Sequence, residues 1–128
     1  MIRENDTIAA LATPPGIGAI SIIRVSGPRS LEIADRLFRC RGPKPSERPH
    51  GTFLVGRVEG PEGFLDEAIL LIFRAPKSYT REDVVEIQCH GGRESSRRIL
   101  RAVLEHGARL AEPGEFTQRA FLNGRIDL

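Results

Sequence analysis

A chain of 128 residues, 40% hydrophobic and 28% charged, has the size and composition of one folded domain built on a single core. Its net charge of +2 argues against a dedicated polyanion binder that relies on a dense basic face and leaves room only for a modest basic patch. No apolar run approaches the ~20 residues of a membrane span, and the start MIRENDTIAA lacks a signal-peptide core, so a cytoplasmic chain without membrane contact is expected.

In chain order, TIAALAT (7–13) reads as a first strand ended by Pro14 and Pro15, and AISIIRV (19–25) as a second. Gly16 and Gly18 between them provide a turn and not a phosphate loop. A dinucleotide fingerprint needs a third glycine where Ser21 stands and a helix where β-branched residues follow, and no Walker sequence occurs anywhere. SGPRSLEIADRLFRC (26–40) is predicted to be a helix with Ser26 as N-cap, Pro28 in its first turn, and Leu31, Ala34, Leu37 and Phe38 at helical spacing. The proline-rich stretch 41–51 is an irregular surface loop.

TFLVGRVEG (52–60) and LDEAILLIFRAP (65–76) form an antiparallel hairpin around a turn-rich joint. AILLIF is apolar at every position, which predicts a central strand in a sheet covered on both faces. VVEIQCH (84–90) is a further strand. Gly91 and Gly92 then open a helix that Gly107 ends as a left-handed cap. Backbone amides at that opening suit either an anionic group or a plain helix start. Arg93, Arg97, Arg98 and Arg101 lie opposite Ile99, Leu100, Val103 and Leu104, so the pattern favours a solvated face over an RNA contact. The tail gives a short extended piece, a turn at Pro113–Gly114, and a short helix through Phe121 that stops at Asn123–Gly124. Asp127 reads as the N-cap of another helix.

Cysteine chemistry adds little. Cys40 and Cys89 are expected to be reduced thiols in a cytosolic chain. Cys89 and His90 are adjacent in a strand, so their side chains point to opposite faces, which argues against a shared metal or a cysteine–histidine nucleophile.

Two charges in apolar strands carry the sharper signal. Arg24 shares a strand face with Ile20 and Ile22 while Ser21, Ile23 and Val25 line the other, and both faces are expected to be covered. Glu86 shares a face with Val84, Gln88 and His90. An isolated buried charge costs several kcal/mol, so the two either pair with each other or jointly face a polar ligand with donor and acceptor edges. Spacing alone leaves both alternatives open.

Three stretches, NDTIAALATPPGIGAISIIRVSGP (5–28), SYTREDVVEIQCHGG (78–92) and EPGEFTQRAFLNGRIDL (112–128), closely resemble the N-terminal domain of the tRNA-modification GTPases called MnmE or TrmE. The resemblance runs from Asn5 to Leu128, with a variable region near residues 39–65. It implies an α/β (α+β) fold with a mixed β-sheet and flanking helices, similar to the folate-binding part of glycine-cleavage aminomethyltransferase. Residues 1–118 would form a folate-binding and dimerising domain, and 119–128 the junction to a helical domain. Family members are cytoplasmic. They act as homodimers with the partner MnmG (GidA), modify carbon 5 of the wobble uridine of certain tRNAs, and draw a one-carbon unit from a tetrahydrofolate derivative (5-formyl- or 5,10-methylene-tetrahydrofolate). GTP, Mg2+ and K+ belong to a G domain whose signatures do not occur in these residues, so this chain alone is expected neither to hydrolyse GTP nor to modify tRNA.

The family's folate contacts fall on Arg24 in SIIRVSG, Glu86 in DVVEIQ and Arg125 in FLNGRIDL. The last is commonly lysine in the family, so its donor geometry differs here. A pterin presents adjacent N–H donors that a carboxylate such as Glu86 accepts at two points, while arginines suit its oxygens or the glutamate carboxylates. Two other expectations remain: an RNA-contact or structural interaction module using the Arg93–Arg101 face, and a fragment of a stand-alone folate-dependent aminomethyltransferase.

Overall fold

The computed structural model describes residues 6–12, 20–90 and 92–125. The predicted turn at Gly16–Gly18, Gly91 of the helix-opening pair and the predicted cap at Asp127 lie outside them. Seven strands, β1 (Ile8–Leu11), β2 (Ile20–Ser26), β3 (Phe38–Arg39), β4 (Phe53–Gly60), β5 (Gly63–Phe73), β6 (Val84–His90) and β7 (Arg109–Leu110), form one sheet in the order β3-β4-β5-β6-β2-β1-β7. Only β1 and β7 pair in parallel, so the sheet is mixed. Among the described residues the helices are α1 (Ser30–Leu37), α2 (Arg93–Glu105) and α3 (Glu115–Leu122). The architecture is the expected α+β one.

Strand alternation decides where the core lies. Ile23 and Val25 of β2, Leu70 and Ile72 of β5, and Val85 and Ile87 of β6 are buried on one face. Ile33 and Leu37 of α1 and Ile99 and Val103 of α2 are buried with them in one cluster. Fully burying an aliphatic side chain of this size contributes roughly 1.5–3 kcal/mol, so this helix-covered face supplies most of the hydrophobic stabilisation.

The opposite face is only partly covered, which corrects the expectation of a sheet buried on both sides. Phe53 (67% exposed), Val55 (72%), Ile20 (56%) and Ile69 (38%) remain accessible there. The α3 end and the segment 74–83 close this face only where Ile8 and Ser26 are fully buried. An apolar run in sequence cannot distinguish a face covered within the domain from one left open.

Helix α1 also starts later than predicted. Ser26 is still in β2, paired with Ile8 and Val84, and its hydroxyl bonds to Thr80 Oγ1 and Glu82 Oε1, both at 2.7 Å. Gly27 then turns the chain at φ +137°, and a side chain there would strike Thr7 Cα at 2.6 Å. Thr7 Oγ1 takes the capping role instead, accepting from the Arg29 N–H at 2.8 Å. The helix ends at Leu37, and Phe38–Arg39 turn into edge strand β3. The loop 41–51 is largely exposed but holds a 3-10 turn at Pro45–Glu47.

Helix α2 follows its sequence pattern closely. Arg93, Arg97, Arg98 and Arg101 are exposed. The helix ends in a Schellman arrangement: the Gly107 N–H donates to Leu104 O and the Ala108 N–H to Val103 O, with Gly107 at φ +119°.

Candidate functional site

Arg24 and Glu86 face each other directly across β2 and β6. The same register sets Leu71 beside Glu86 and Ala10 beside Arg24, so the pair lies in mid-sheet on the partly open face. Arg24 Nε donates to Glu86 Oε2 at 2.9 Å, with side-chain exposures of 31% and 15%. Of the two arrangements that spacing allowed, direct pairing is the one present, and it is half-buried. The pairing uses one edge of each group. Both terminal nitrogens of Arg24 and Oε1 of Glu86 have no protein hydrogen-bond partner among the described residues.

The Arg24 guanidinium sits 5.7 Å from the Phe116 ring centre, within cation–π range. It borders a hollow of about 480 Å³ lined also by Leu11, Tyr79, Glu112, Phe116 and Thr117. Strand β2 thus provides the charge, and α3 provides an apolar wall.

Arg125 arrives from the turn after α3. Its N–H donates to Ala120 O at 2.9 Å, and its guanidinium lies 5.1 Å from the Tyr79 ring centre and donates to Ser78 O at 3.4 Å. It lines a second, wider hollow of about 540 Å³ together with Phe73, Pro76, Lys77, Tyr79 and Arg81. Tyr79 borders both hollows, and its hydroxyl is hydrogen-bonded to Thr117 at 2.9 Å. The structure therefore joins Arg24 to Glu86 directly and places Arg125 across Tyr79 in the adjoining hollow.

Sequence reasoning missed Tyr79, Phe116 and Thr117, since single residues in a loop and a short helix carry no periodic signal. It also missed the cluster that holds α3 in place. Arg119, 5% exposed, donates to Asp6 O at 2.7 Å and to both Glu82 oxygens at 3.2 Å, and it pairs with the Asp6 carboxylate and with Glu115. Arg109 forks onto Glu115 at 2.6 and 3.1 Å and onto Asp6 at 2.7 Å. The Arg109 hydrogen bond is the main cause holding both the Asp6 and the Glu115 carboxyl below their usual range. The one local clue was the Glu115–Arg119 spacing of one helical turn.

Other candidate chemistry is weak. Cys89 is buried, its Sγ donates to Ser21 O, and burial pushes its thiol up to about 11, so it is a poor nucleophile at neutral pH. Cys40 and Cys89 are both free. His90 hydrogen-bonds Asp66 at 2.8 Å, which raises its pKa. No cluster of three or more metal-ligating side chains occurs among the described residues. None of their helices is long and apolar enough to cross a membrane.

Comparison with known proteins gives these positions a context. The family model described as "GTP-binding protein TrmE N-terminus" matches residues 7–125. The tRNA modification GTPase MnmE of Geobacillus thermodenitrificans is 56% identical over 130 residues, covering 99% of this chain and 28% of that protein. Those of Chlamydia felis and Listeria innocua are 56% and 53% identical over 125 residues, covering 98% of this chain and 28% and 27% of theirs. The chain thus spans little more than a quarter of the length of these relatives.

Proposed function

The chain belongs to the TrmE N-terminal family, and from that membership we propose that it is a tetrahydrofolate-binding and homodimerising module of a tRNA-modification GTPase. The observation that carries the folate reading is the unused half of the Arg24–Glu86 pair. A pterin brings donors that Glu86 Oε1 can accept, and carbonyl or formyl oxygens that the Arg24 terminal nitrogens can meet. Phe116 and Tyr79 offer apolar surface for the flat ring system. Arg125 supplies charge for a carboxylate across Tyr79.

In this reading the ligand is 5-formyl- or 5,10-methylene-tetrahydrofolate, and residues 119–128 lead toward a helical domain. The longer protein, with GTP, Mg2+ and K+ in its G domain and MnmG as partner, would modify the wobble uridine of tRNA in the cytoplasm. The open apolar patch of Phe53, Val55, Ile20 and Ile69 supports self-association, because contiguous exposed apolar surface favours an interface. A monomer mass in sedimentation at high micromolar concentration would count against the dimer.

Calorimetry with 5-formyltetrahydrofolate tests the central claim. Glu86→Gln should weaken binding by at least about tenfold, since a hydrogen bond to a charged group contributes roughly 1.5–3 kcal/mol; unchanged affinity overturns the role of Glu86. GTP should give no thermal shift with this chain.

The exposed arginines of α2, none ion-paired to a carboxylate among the described residues, favour a second reading as an RNA-contact module. Salt-dependent tRNA binding that survives Glu86→Gln, with no folate thermal shift, would select it.

A further inference from the structure

The hollow around Arg125 has a chemistry that the Arg24–Glu86 pair does not need. Lys77, Arg81 and Arg125 all line it, and among the described residues no carboxylate does. Lys77 and Arg81 are exposed and have no ion-pair partner among the described residues. Arg81 stands at φ +65°, a left-handed backbone position where glycine is the usual residue. A long cationic side chain held at such a position, on the rim of a hollow with two more cations, is an unusual expenditure of conformational freedom. The rest of the described lining is Phe73, Pro76 and the Tyr79 ring, which are apolar, together with Ser78.

We propose that this hollow is a polycarboxylate subsite that takes the γ-linked glutamate chain of the folate. The inference rests on the folate reading above and extends it from the heterocycle to the tail. Tyr79 lines both hollows, so the hollow beside Arg24 and the one beside Arg125 adjoin at that side chain. Each glutamyl unit offers a carboxylate for a cation and methylenes for the Phe73–Pro76 wall. A volume of about 540 Å³ fits a few such units. An RNA backbone would instead require a longer basic track than three cations on one concavity.

The test compares 5-formyltetrahydrofolate carrying one glutamate with the form carrying five, by calorimetry on the whole chain. The readout is the ratio of the two dissociation constants. The five-glutamate form should bind about fivefold more tightly, the scale of two or three exposed ion pairs, and the preference should shrink as salt is raised. Lys77→Ala combined with Arg81→Gly should bring the ratio close to one. Glycine relieves the left-handed backbone at position 81, so the variant should melt no lower than the parent. Equal binding of both forms by the parent chain overturns the subsite while leaving the folate reading intact. A variant that keeps the full preference also overturns it. If neither form binds the parent chain, the folate reading itself fails and the subsite with it. If the substitutions abolish binding of a tRNA anticodon hairpin while leaving the length preference, the occupant is a phosphodiester and the proposal is wrong.

Discussion

Arg24 and Arg119 are both arginines placed among apolar strands and helices, yet the protein treats them differently. Arg119 has a side chain 6% exposed that meets the carboxylates of Asp6, Glu82 and Glu115 as well as a main-chain carbonyl. Arg24 is 31% exposed and among the described residues gives one hydrogen bond, to Glu86. A guanidinium whose donors are consumed by the fold has nothing left for a ligand. One that presents two unbonded nitrogens to a hollow has kept its binding capacity. Counting partners, more than counting charges, separates the joint that holds α3 from the candidate site it helps to build.

The sharpest way to break this comparison is to remove the saturated arginine. Arg119→Met should destabilise the chain by about 3 kcal/mol, because deleting one member of a buried ionic cluster leaves uncompensated charge behind. Glu82 would be the most exposed to that loss, since Arg109 still serves Asp6 and Glu115. Urea unfolding measures it, and a cost under about 1 kcal/mol would erase the distinction from ordinary surface pairs.

Acid should weaken the same joint more gradually. Asp6 and Glu115 titrate lower in the folded chain than carboxylates usually do, chiefly through Arg109. A depressed folded pKa gives stability that is fully present above the unfolded value of about 4 and lost as pH falls through the folded value. The melting temperature should therefore hold near neutrality and decline below about pH 4, and Asp6→Asn should flatten part of that decline. An identical acid slope in the variant would remove Asp6 from the account.

What the sequence disclosed follows the same division between local and distant. The β4–β5 hairpin, the amphipathic α2 and its Gly107 cap were legible because period-two and helical spacing are local signals. The Arg24–Glu86 contact was legible as one of two alternatives because charges inside apolar strands demand a partner. The Arg119 cluster was not, since positions 6, 82, 109, 115 and 119 meet only after the sheet and α3 have assembled. Ser26 misled for a related reason: its cap-like context is local, but strand pairing with Val84 extends one residue further and recruits its hydroxyl to Glu82. The open sheet face misled because apolar side chains look alike in sequence whether or not something within the domain covers them.

The smallest stability effect belongs to Arg24. Its pair with Glu86 is partly solvated, so Arg24→Met should cost at most about 1 kcal/mol, and pairing it with Glu86→Gln should reveal a coupling of similar size in a double-mutant cycle. Under the proposed folate reading, the same two substitutions should nonetheless weaken 5-formyltetrahydrofolate binding strongly, because the ligand would use the edges of the pair that the described fold leaves open. Stability and affinity thus move apart at Arg24, whereas at Arg119 they should fall together as α3 loosens and Phe116 leaves the hollow. A large stability loss with unchanged ligand affinity at Arg24 would reverse the assignment, making it a structural residue like Arg119.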